Sequence, residues 1–565
     1  MFSIEPWMPV AVGLSVLFFW LLKEAKSFLF WTYLWQLKDY HIGRFLSHFD
    51  TYNGKKILSN PVSYLKYLIF LVLLLLLGSS TLDYSQSLSG FLSKYSIYFV
   101  GAVPLLFLIY FFEGLIALWG MLRRRIKAPK MTAKVSFILP VIFIPLGVIT
   151  AVFARLFLND YFNPTKWMSF DLIPFASGIL AFDILTPLVV SLMVLLLQPI
   201  TVFFKWRTIN KAKKKREALE NLLVVGITGS YGKSSTKEFL KFLLSEDFKV
   251  VSTERNENSE MGISRCILEN VKEEHEIFIC EMGAYNRGGI KLLCDIAKPK
   301  IGILTGINSQ HFSTFGSQKD IVKGKFELID SLPSEGLAVL NWDNEFIKEN
   351  FKSSVASIKY SAIEKQDVWA EDIRGGREGI SFKVCFRSGE SFVANMKING
   401  VHNVPNLLSA VSVARKLGME TESIVKRLEE MDYSIGGMRL KRLDGLDVID
   451  AAYSSNPDGI ISHLDYLKNW EGKKIIVMPC LIELGSEGKR VHREIGKKIG
   501  EVCDLAIITS MDYFREMKKS SGMKDMVSMN NGEKILNKIR SFAKEGDVVL
   551  IESRVPQKLI DKLLR

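Results

Sequence analysis

LLVVGITGSYGKSSTK, Leu222 to Lys237, joins a short apolar strand to an amphipathic helix through a glycine-rich turn closed by a lysine and hydroxyls. Such a turn suits a triphosphate. Gly229 and Gly232 let backbone N–H groups crowd round phosphate oxygens, the helix offers its positive N-terminus, Lys233 neutralises β/γ charge, and the Ser234 hydroxyl, with Ser235 beside it, is placed to ligate Mg²⁺. The common pattern has four residues between its first glycine and the Gly-Lys pair, whereas only Ser230 and Tyr231 separate Gly229 from Gly232 here. Taken alone, the stretch also fits a plain glycine turn between strand and helix.

Downstream, VVGIT, KEFLKFLL, IFICEMG, IKLLCDIA and IGILTGI alternate strand with helix, the pattern of a parallel sheet covered on both faces that binds ligands at the carboxyl ends of its strands. Glu281 and His311 fall at such strand ends, and a carboxylate and an imidazole there would complete a Mg²⁺ shell. Taken alone, either residue reads more readily as structural than as functional.

Upstream, hydropathy divides the 565 residues near residue 205. Apolar runs of spanning length lie at Trp7–Leu22, Tyr64–Ser79, Ser96–Trp119, Ser136–Leu158 and Pro174–Phe204, giving five spans, or six if the last breaks at Pro187. Lys23, Lys26, Lys38, Arg44, Lys55 and Lys56 follow the first run, Arg123 to Lys134 the third and Lys205 to Arg216 the last. The loops Ser80–Tyr95 and Asn159–Ile173 carry Asp83, Asp160 and Asp171 against Lys94 and Lys166. This alternation predicts a multi-pass protein of the cytoplasmic membrane, N-terminus outside and C-terminal region in the cytoplasm. Met1–Pro6 lacks the basic n-region of a cleaved signal peptide. Glu113, Arg155 and Asp183 lie within or at the ends of runs, so each is expected to pair or to face a polar cavity. Phe28–Phe49, aromatic with Lys38, His41, Arg44 and His48, reads as an interfacial helix or as an ordinary loop.

The net charge of +13 gathers in these juxtamembrane clusters, above all KAKKKRE at Lys211–Glu217. Membrane lipid headgroups explain it better than nucleic acid, for which no aromatic platform or motif is present. The six cysteines form no CxxC pair and read as reduced core thiols.

Together the soluble residues resemble the Mur ligases, which join an amino acid or peptide to a carboxylate at the expense of ATP. The branch most similar adds D-alanyl-D-alanine to UDP-N-acetylmuramoyl-tripeptide. The resemblance rests on GITGSYGKSSTKE, NENSEMG (Asn256–Gly262), EMGA (Glu281–Ala284), HFSTFGS (His311–Ser317), KGKFELI (Lys323–Ile329), LNWDN (Leu340–Asn344), GVHNVPN (Gly400–Asn406), YSSNPD (Tyr453–Asp458) and IELG (Ile482–Gly485) with His492 beyond. The family's shorter phosphate loop has the two-residue gap seen here. Hydropathy and charge give a multi-span α-helical membrane domain (1–205) and a basic juxtamembrane linker (206–220), and the resemblance implies an α/β Mur ligase central ATPase domain (221–433) and, from near Ser434, a smaller Rossmann-like α/β domain (434–565). It further implies ATP and Mg²⁺ as cofactors and an acyl-phosphate intermediate attacked by an amine. In that scheme Lys233 holds phosphates, Ser234 and Glu281 ligate one Mg²⁺, and His311 serves a second. Lys325 matches a lysine carbamylated in many members, though a surface lysine would look the same. His402, Asn403 and Asn406 match an adenine-contacting segment, and Arg439 an arginine that reaches the phosphates on domain closure.

Three departures stand out. Where the resembled branch opens its third-domain motif with two aspartates, this chain has Asp450 and Ala451, leaving Asp450 as the substitute for nucleotide clamping; a Lys-Gly-Ser-Arg stretch is replaced by Ile551-Glu552-Ser553-Arg554; and membrane-like sequence occupies the place of the domain that grips the uridine nucleotide. Two ligase readings follow. In one the acceptor is a cell-envelope precursor, lipid-linked at the inner leaflet; in the other it is the soluble UDP-linked tripeptide, with the dipeptide as donor and the spans as an anchor. A degenerate ligase kept for binding, or a nucleotide-gated membrane module, are the alternatives from other classes.

Overall fold

The computed structural model describes residues 8–81, 101–161, 172–254, 257–310, 312–432, 435, 438–443, 445–452 and 456–563. Its two compact units are residues 1–204 and 205–565. The first is built from α1 (Met8–Leu37), α2 (Pro61–Thr81), α3 (Ala102–Leu122), α4 (Ala133–Tyr161) and α5 (Leu172–Leu196), and α6 (Gln198–Ala218) runs on into the second. By length and composition Ala102–Leu122, Lys134–Arg155 and Pro174–Ala218 qualify as candidate membrane spans among the described residues, and Pro61–Leu75 is apolar but shorter. The first expected span does not stop at Leu22: α1 continues through Lys23, Glu24 and Lys26 to Leu37. The interfacial helix expected at Phe28–Phe49 is therefore absent as a unit. Phe28, Trp31, Leu34 and Trp35 belong to the end of α1 and are buried, and left-handed residues at Asp39 and Tyr40 turn the chain into short helices at Ile42–Ser47, His48–Asp50 and Tyr52–Leu58. The Trp35 and Phe45 rings stack at 4.1 Å across that turn. Pro187 does not break its helix; α5 runs through it, and the Thr186 hydroxyl bonds the Phe182 carbonyl in the turn that the proline loosens. The expected loop Ser80–Tyr95 and most of Asn159–Ile173 lie outside the described residues.

Inside this bundle, charges expected to need partners find them. Asp183 on α5 meets Lys23 of α1, Lys66 of α2 at 2.7 Å and the Tyr110 hydroxyl of α3 at 3.2 Å. Lys66 also binds Glu113 at 2.6 Å, and Glu24 accepts from Lys23 and from the Thr186 hydroxyl at 2.7 and 2.8 Å. Arg155, by contrast, is exposed. Leu108, Phe112, Ile116 and Trp119 of α3 and Leu188, Leu192 and Leu196 of α5 point outward and are exposed, so the bundle has an apolar outer face, and its apolar interior encloses a single ion network.

In the second unit, α6 lays Ile209 and Ala212 into an apolar core, and buried Arg216 donates to the carbonyls of Ala297, Leu219 and Leu222 at 2.8–3.0 Å. A nine-stranded sheet follows, in the order β2-β3-β1-β4-β5-β6-β7-β8-β9. Its strands are β1 (Leu223–Thr228), β2 (Val250–Ser252), β3 (Ile277–Glu281), β4 (Ile301–Leu304), β5 (Leu337–Asn341), β6 (Ala356–Ser361), β7 (Val368–Gly376), β8 (Gly379–Phe386) and β9 (Ser391–Met396). Strands β1 to β7 pair in parallel, and β8 and β9 extend the edge antiparallel. Helices α7 (Lys233–Leu244), α8 (Glu260–Glu269), α9 (Gly289–Ala297), α10 (Gln318–Asp330) and α11 (Val404–Lys416) cover it. Val224, Val225 and Ile227 are wholly buried because helices cover both faces, which is why β1 reads as an unbroken apolar run. The chain leaves β1 in one direction and returns on its other side at β4, so the crevice between their carboxyl ends is the switch point where α/β sheets bind ligands.

A second sheet, β10-β11-β15-β12-β13-β14, holds β10 (Arg439–Leu443), β11 (Leu446–Ala451), β12 (Lys474–Met478), β13 (Leu505–Ile508), β14 (Met526–Ser528) and β15 (Val548–Glu552). It is parallel except for β10, and α12 (Pro457–Leu467) and α13 (Gly488–Val502) pack on it.

Candidate active site

The turn after β1 fits only with glycines. Gly232 has φ +77°, a left-handed value, and a Cβ there would run into Oδ1 of Asn406 on α11; a Cβ on Gly229, at φ +156°, would strike the Thr305 hydroxyl just past β4. The turn is pinned to β4's exit, with Ser230 N–H donating to Gly306 O at 2.7 Å and the Thr305 hydroxyl to Tyr231 O. Helix α7 then starts at Lys233, whose Nζ folds back on the Gly229 carbonyl at 2.7 Å. Burial lowers the Lys233 pKa and the Glu281 charge opposes that shift.

Glu281, the last residue of β3, is buried and held on three sides. Its Oε2 accepts from the Ser234 hydroxyl at 2.8 Å, its Oε1 from Asn258 Nδ2 at 2.9 Å, and its N–H donates to the Thr253 hydroxyl at 3.0 Å. Lys237, one helical turn after Lys233, is fully buried beneath them, donating to Thr253 O at 2.7 Å with Nζ 3.9 Å from Glu281. A carboxylate and a hydroxyl side by side at the mouth of a phosphate loop are hard oxygen donors, the set Mg²⁺ takes alongside phosphate oxygens. The residues present thus fit both Mg²⁺ and a nucleotide triphosphate.

On α10, Lys325 is buried with Nζ 5.9 Å from the Phe315 ring centroid. Burial first, and then the charge of Lys233, bring its pKa down to about 7 against the pull of Glu327. Asn406 Oδ1 accepts from Thr236 at 3.4 Å and its amide reaches Asn403 Oδ1 at 3.4 Å, while Asn403 donates to Asn399 O at 2.9 Å. His402 sits in the short helix Val401–Asn403 with its ring 5.2 Å from that of His463 on α12, and burial pushes its pKa down to about 3.

Arg439 is exposed at the start of β10, in register with Asp450 on β11, and among the described residues neither makes a hydrogen bond or ion pair to the phosphate loop. Ser235, half-buried on the first turn of α7, makes none either. His311 and Tyr453–Ser455 lie outside the described residues. The two sheet domains meet beside the site: Asn308 Nδ2 donates to Asp458 at 2.6 Å, Ser313 N–H to Glu483 O at 3.1 Å and the Tyr466 hydroxyl to Asn399 at 2.9 Å. Sequence reasoning missed Asn258, Thr253, Lys237, His463 and Glu552 as site residues; Asn258, Lys237 and Glu552 lay in stretches singled out beforehand without being given a role, and Thr253 and His463 lay in none.

Comparison with known proteins finds the Mur ligase middle domain over residues 227–414 and the Mur ligase, glutamate ligase domain over residues 438–554. The UDP-N-acetylmuramoyl-tripeptide--D-alanyl-D-alanine ligase of Synechocystis sp. is 32% identical over 286 residues, 49% of this chain and 59% of that protein. The Bacillus subtilis protein of the same name is 27% identical over 347 residues, 60% of this chain and 74% of its own. The chain thus spans less than two thirds of the Synechocystis relative. Among solved structures, MurF from Acinetobacter baumannii superposes with a TM-score of 0.58 at 25% identity over 64% of this chain and 79% of that one. MurF ligase from Thermotoga maritima in complex with ADP gives 0.56 at 26% identity over 63% and 82%.

Proposed function

The chain belongs to the Mur ligase family, and from that premise we propose that it is an ATP-dependent ligase forming a C–N bond in peptidoglycan precursor synthesis, integral to the cytoplasmic membrane with its catalytic domains in the cytoplasm. The observation that carries the proposal is the hydroxyl–carboxylate pair of Ser234 and Glu281 at the mouth of a loop only glycines can form. A carboxylate is inert to amines until one oxygen becomes a leaving group; transfer of the γ-phosphoryl of ATP supplies that, and the amine then displaces phosphate. The work left to the protein is positioning and charge neutralisation. Lys233, released from the Gly229 carbonyl, turns to the phosphates, and Gly229, Gly232 and the N-terminus of α7 cradle them. Ser234 and Glu281 hold Mg²⁺, which when bound would neutralise charge on the transferring group. His311 is proposed for a second Mg²⁺, Arg439 and Asp450 for nucleotide contact on tighter closure, and His402, Asn403 and Asn406 for adenine. Lys325, with a pKa near 7, keeps much of its amine neutral and hence reactive to carbon dioxide, which supports carbamylation there.

The acceptor is proposed to be a cell-envelope precursor presented at the inner leaflet, lipid-linked, with the helical unit doing the recognition; the apolar outer face of that unit and its candidate spans support this reading. A second reading takes its support from the names of the relatives: a soluble UDP-linked tripeptide as acceptor and D-alanyl-D-alanine as amine. Purified full-length protein given ATP, Mg²⁺, UDP-linked tripeptide and dipeptide separates the two. Product formed without lipid refutes the lipid acceptor; product formed only with envelope lipid extract, identified by mass spectrometry, refutes the soluble one. Undiminished product from Lys233→Ala would exclude the loop as the catalytic nucleotide site.

A further inference from the structure

A carboxylate and two imidazoles meet where the third domain touches the nucleotide segment. Glu552, the last residue of β15, is fully buried and its Oε2 lies 2.7 Å from His463 Nδ1; its Oε1 has no hydrogen-bond partner among the described residues. His463, itself buried, sets its ring edge-on to that of His402 at 5.2 Å and 67°. Glu552 is also the register partner of Ala451 on the neighbouring parallel strand β11, so both side chains project from the same face of the sheet. A methyl at 451 leaves that face to one carboxylate. An aspartate there would set two buried acids against each other, beside Asp450, whose charge already raises the Glu552 pKa together with burial.

We propose that Glu552 and His463 form a positioning pair, contributed by the third domain, that holds His402 on the base side of the adenine nucleotide site, with the carboxylate carried at 552 instead of 451. The proposal rests on the ligase reading for the assignment of His402 to the base. Its physics is that of a carboxylate–histidine pair. Glu552 Oε2 accepts a hydrogen bond from His463 Nδ1–H, which fixes the ring's orientation and turns its other edge toward His402. His402 stays uncharged at neutral pH because burial holds its pKa near 3, so the contact is a packed one that depends on how His463 is aimed. Glu552, with no exposed surface, acts through His463 and touches no ligand itself.

The test is calorimetric titration of ADP into purified full-length protein, with steady-state kinetics in ATP and melting temperatures without nucleotide. Glu552→Gln and His463→Ala should each weaken ADP binding and raise KM for ATP about tenfold, the scale of a lost buried charge-assisted hydrogen bond, while kcat at saturating ATP stays near that of the parent; the nucleotide-free melting temperature falls as well, as for any broken buried pair. His402→Ala combined with His463→Ala should cost no more than the worse single change, as coupled neighbours do. Ala451→Asp should weaken ADP binding, and Ala451→Asp with Glu552→Gly should recover it. Additive effects of the two histidines, unchanged ADP binding in Glu552→Gln, or no recovery in the double change would overturn the proposal. Absence of ligase product with ADP binding intact would sink the ligase reading and leave the titrations to judge the pair.

Discussion

Glu281 accepts from Ser234 and Asn258 and lies within 3.9 Å of the buried Lys237 ammonium, so its negative charge is supported from three directions before any metal arrives. Glu281→Gln keeps the shape and one acceptor but removes that charge. The expected outcome is a Mg²⁺ requirement raised at least about tenfold, as for altered metal ligands, read from Mg²⁺ titration of ATP turnover; an unchanged midpoint would exclude Glu281 as a ligand. Lys325 carries a second prediction. Its folded pKa of about 7 lies below the roughly 10.4 of an unfolded lysine, so between those values the unfolded chain binds more protons and stability rises with pH. Below pH 7 the burial penalty is present in full. Melting temperature should therefore climb from about pH 7 toward pH 10 in the parent, and Lys325→Met should flatten the climb and raise the melting temperature at neutral pH; an equal climb in both would refute the assignment. The loop residues and Glu281 were legible in sequence because glycine, lysine and a strand-end acid carry local signals. Lys237 and Thr253 were not, since a lysine on a helix and a threonine after a strand look alike whether they face solvent or the underside of a metal site.

Between the ends of β1 and β4 the phosphate loop is an element whose shape is set from outside, by Thr305 and Asn406, residues 74 to 170 positions away from the atoms they touch. Gly232→Ala must place a Cβ against Asn406 at φ +77°, so we expect a loss of about 1–2 kcal/mol from the left-handed conformation alone and a further loss from displacing Asn406. Chemical denaturation of the parent and variant measures this, and an effect within about 0.5 kcal/mol would contradict the geometry. In the helical unit the corresponding element is the ion network. Asp183 serves both Lys23 and Lys66, whereas Glu113 serves Lys66 alone and is part-exposed. Asp183→Asn takes one of two carboxylate partners from both Lys23 and Lys66, whereas Glu113→Gln takes one from Lys66 alone, so Asp183→Asn should lower the melting temperature in detergent more than Glu113→Gln; equal shifts would show that the network is not centred on Asp183. Glu113 and Asp183 were flagged in sequence as charges in apolar runs. Their partners were not, because Lys23 reads as the start of a positive loop and the pairs span 47 to 160 positions.

Across the whole chain, the alternation of apolar strand and amphipathic helix made the parallel part of the first sheet legible, since a strand buried on both faces must be apolar throughout, whereas the second sheet was expected only from the family resemblance. The antiparallel edge strands β8 and β9 were not anticipated, as FKVCF and FVANM alternate without marking which sheet they join. The helical unit was legible only as hydropathy: it identified three runs that are candidate spans but ended α1 at Leu22 instead of Leu37, because hydropathy treats Lys23 and Glu24 as an exit where their mutual neutralisation lets the helix go on. Orientation remains a proposal with a direct test. All six native cysteines are buried in the second unit, so a single introduced thiol reports cleanly to a membrane-impermeant maleimide. The basic stretch after α3 is exposed at Lys127, and the positive-inside rule puts it in the cytoplasm and predicts that Ser87, in the stretch that carries Asp83 against Lys94, faces out. Lys127→Cys should label only after the membrane is breached and Ser87→Cys in intact cells. The reverse pattern would place the ATP site outside the cell, where no nucleotide pool supplies it, and would refute the membrane arrangement and the ligase reading together.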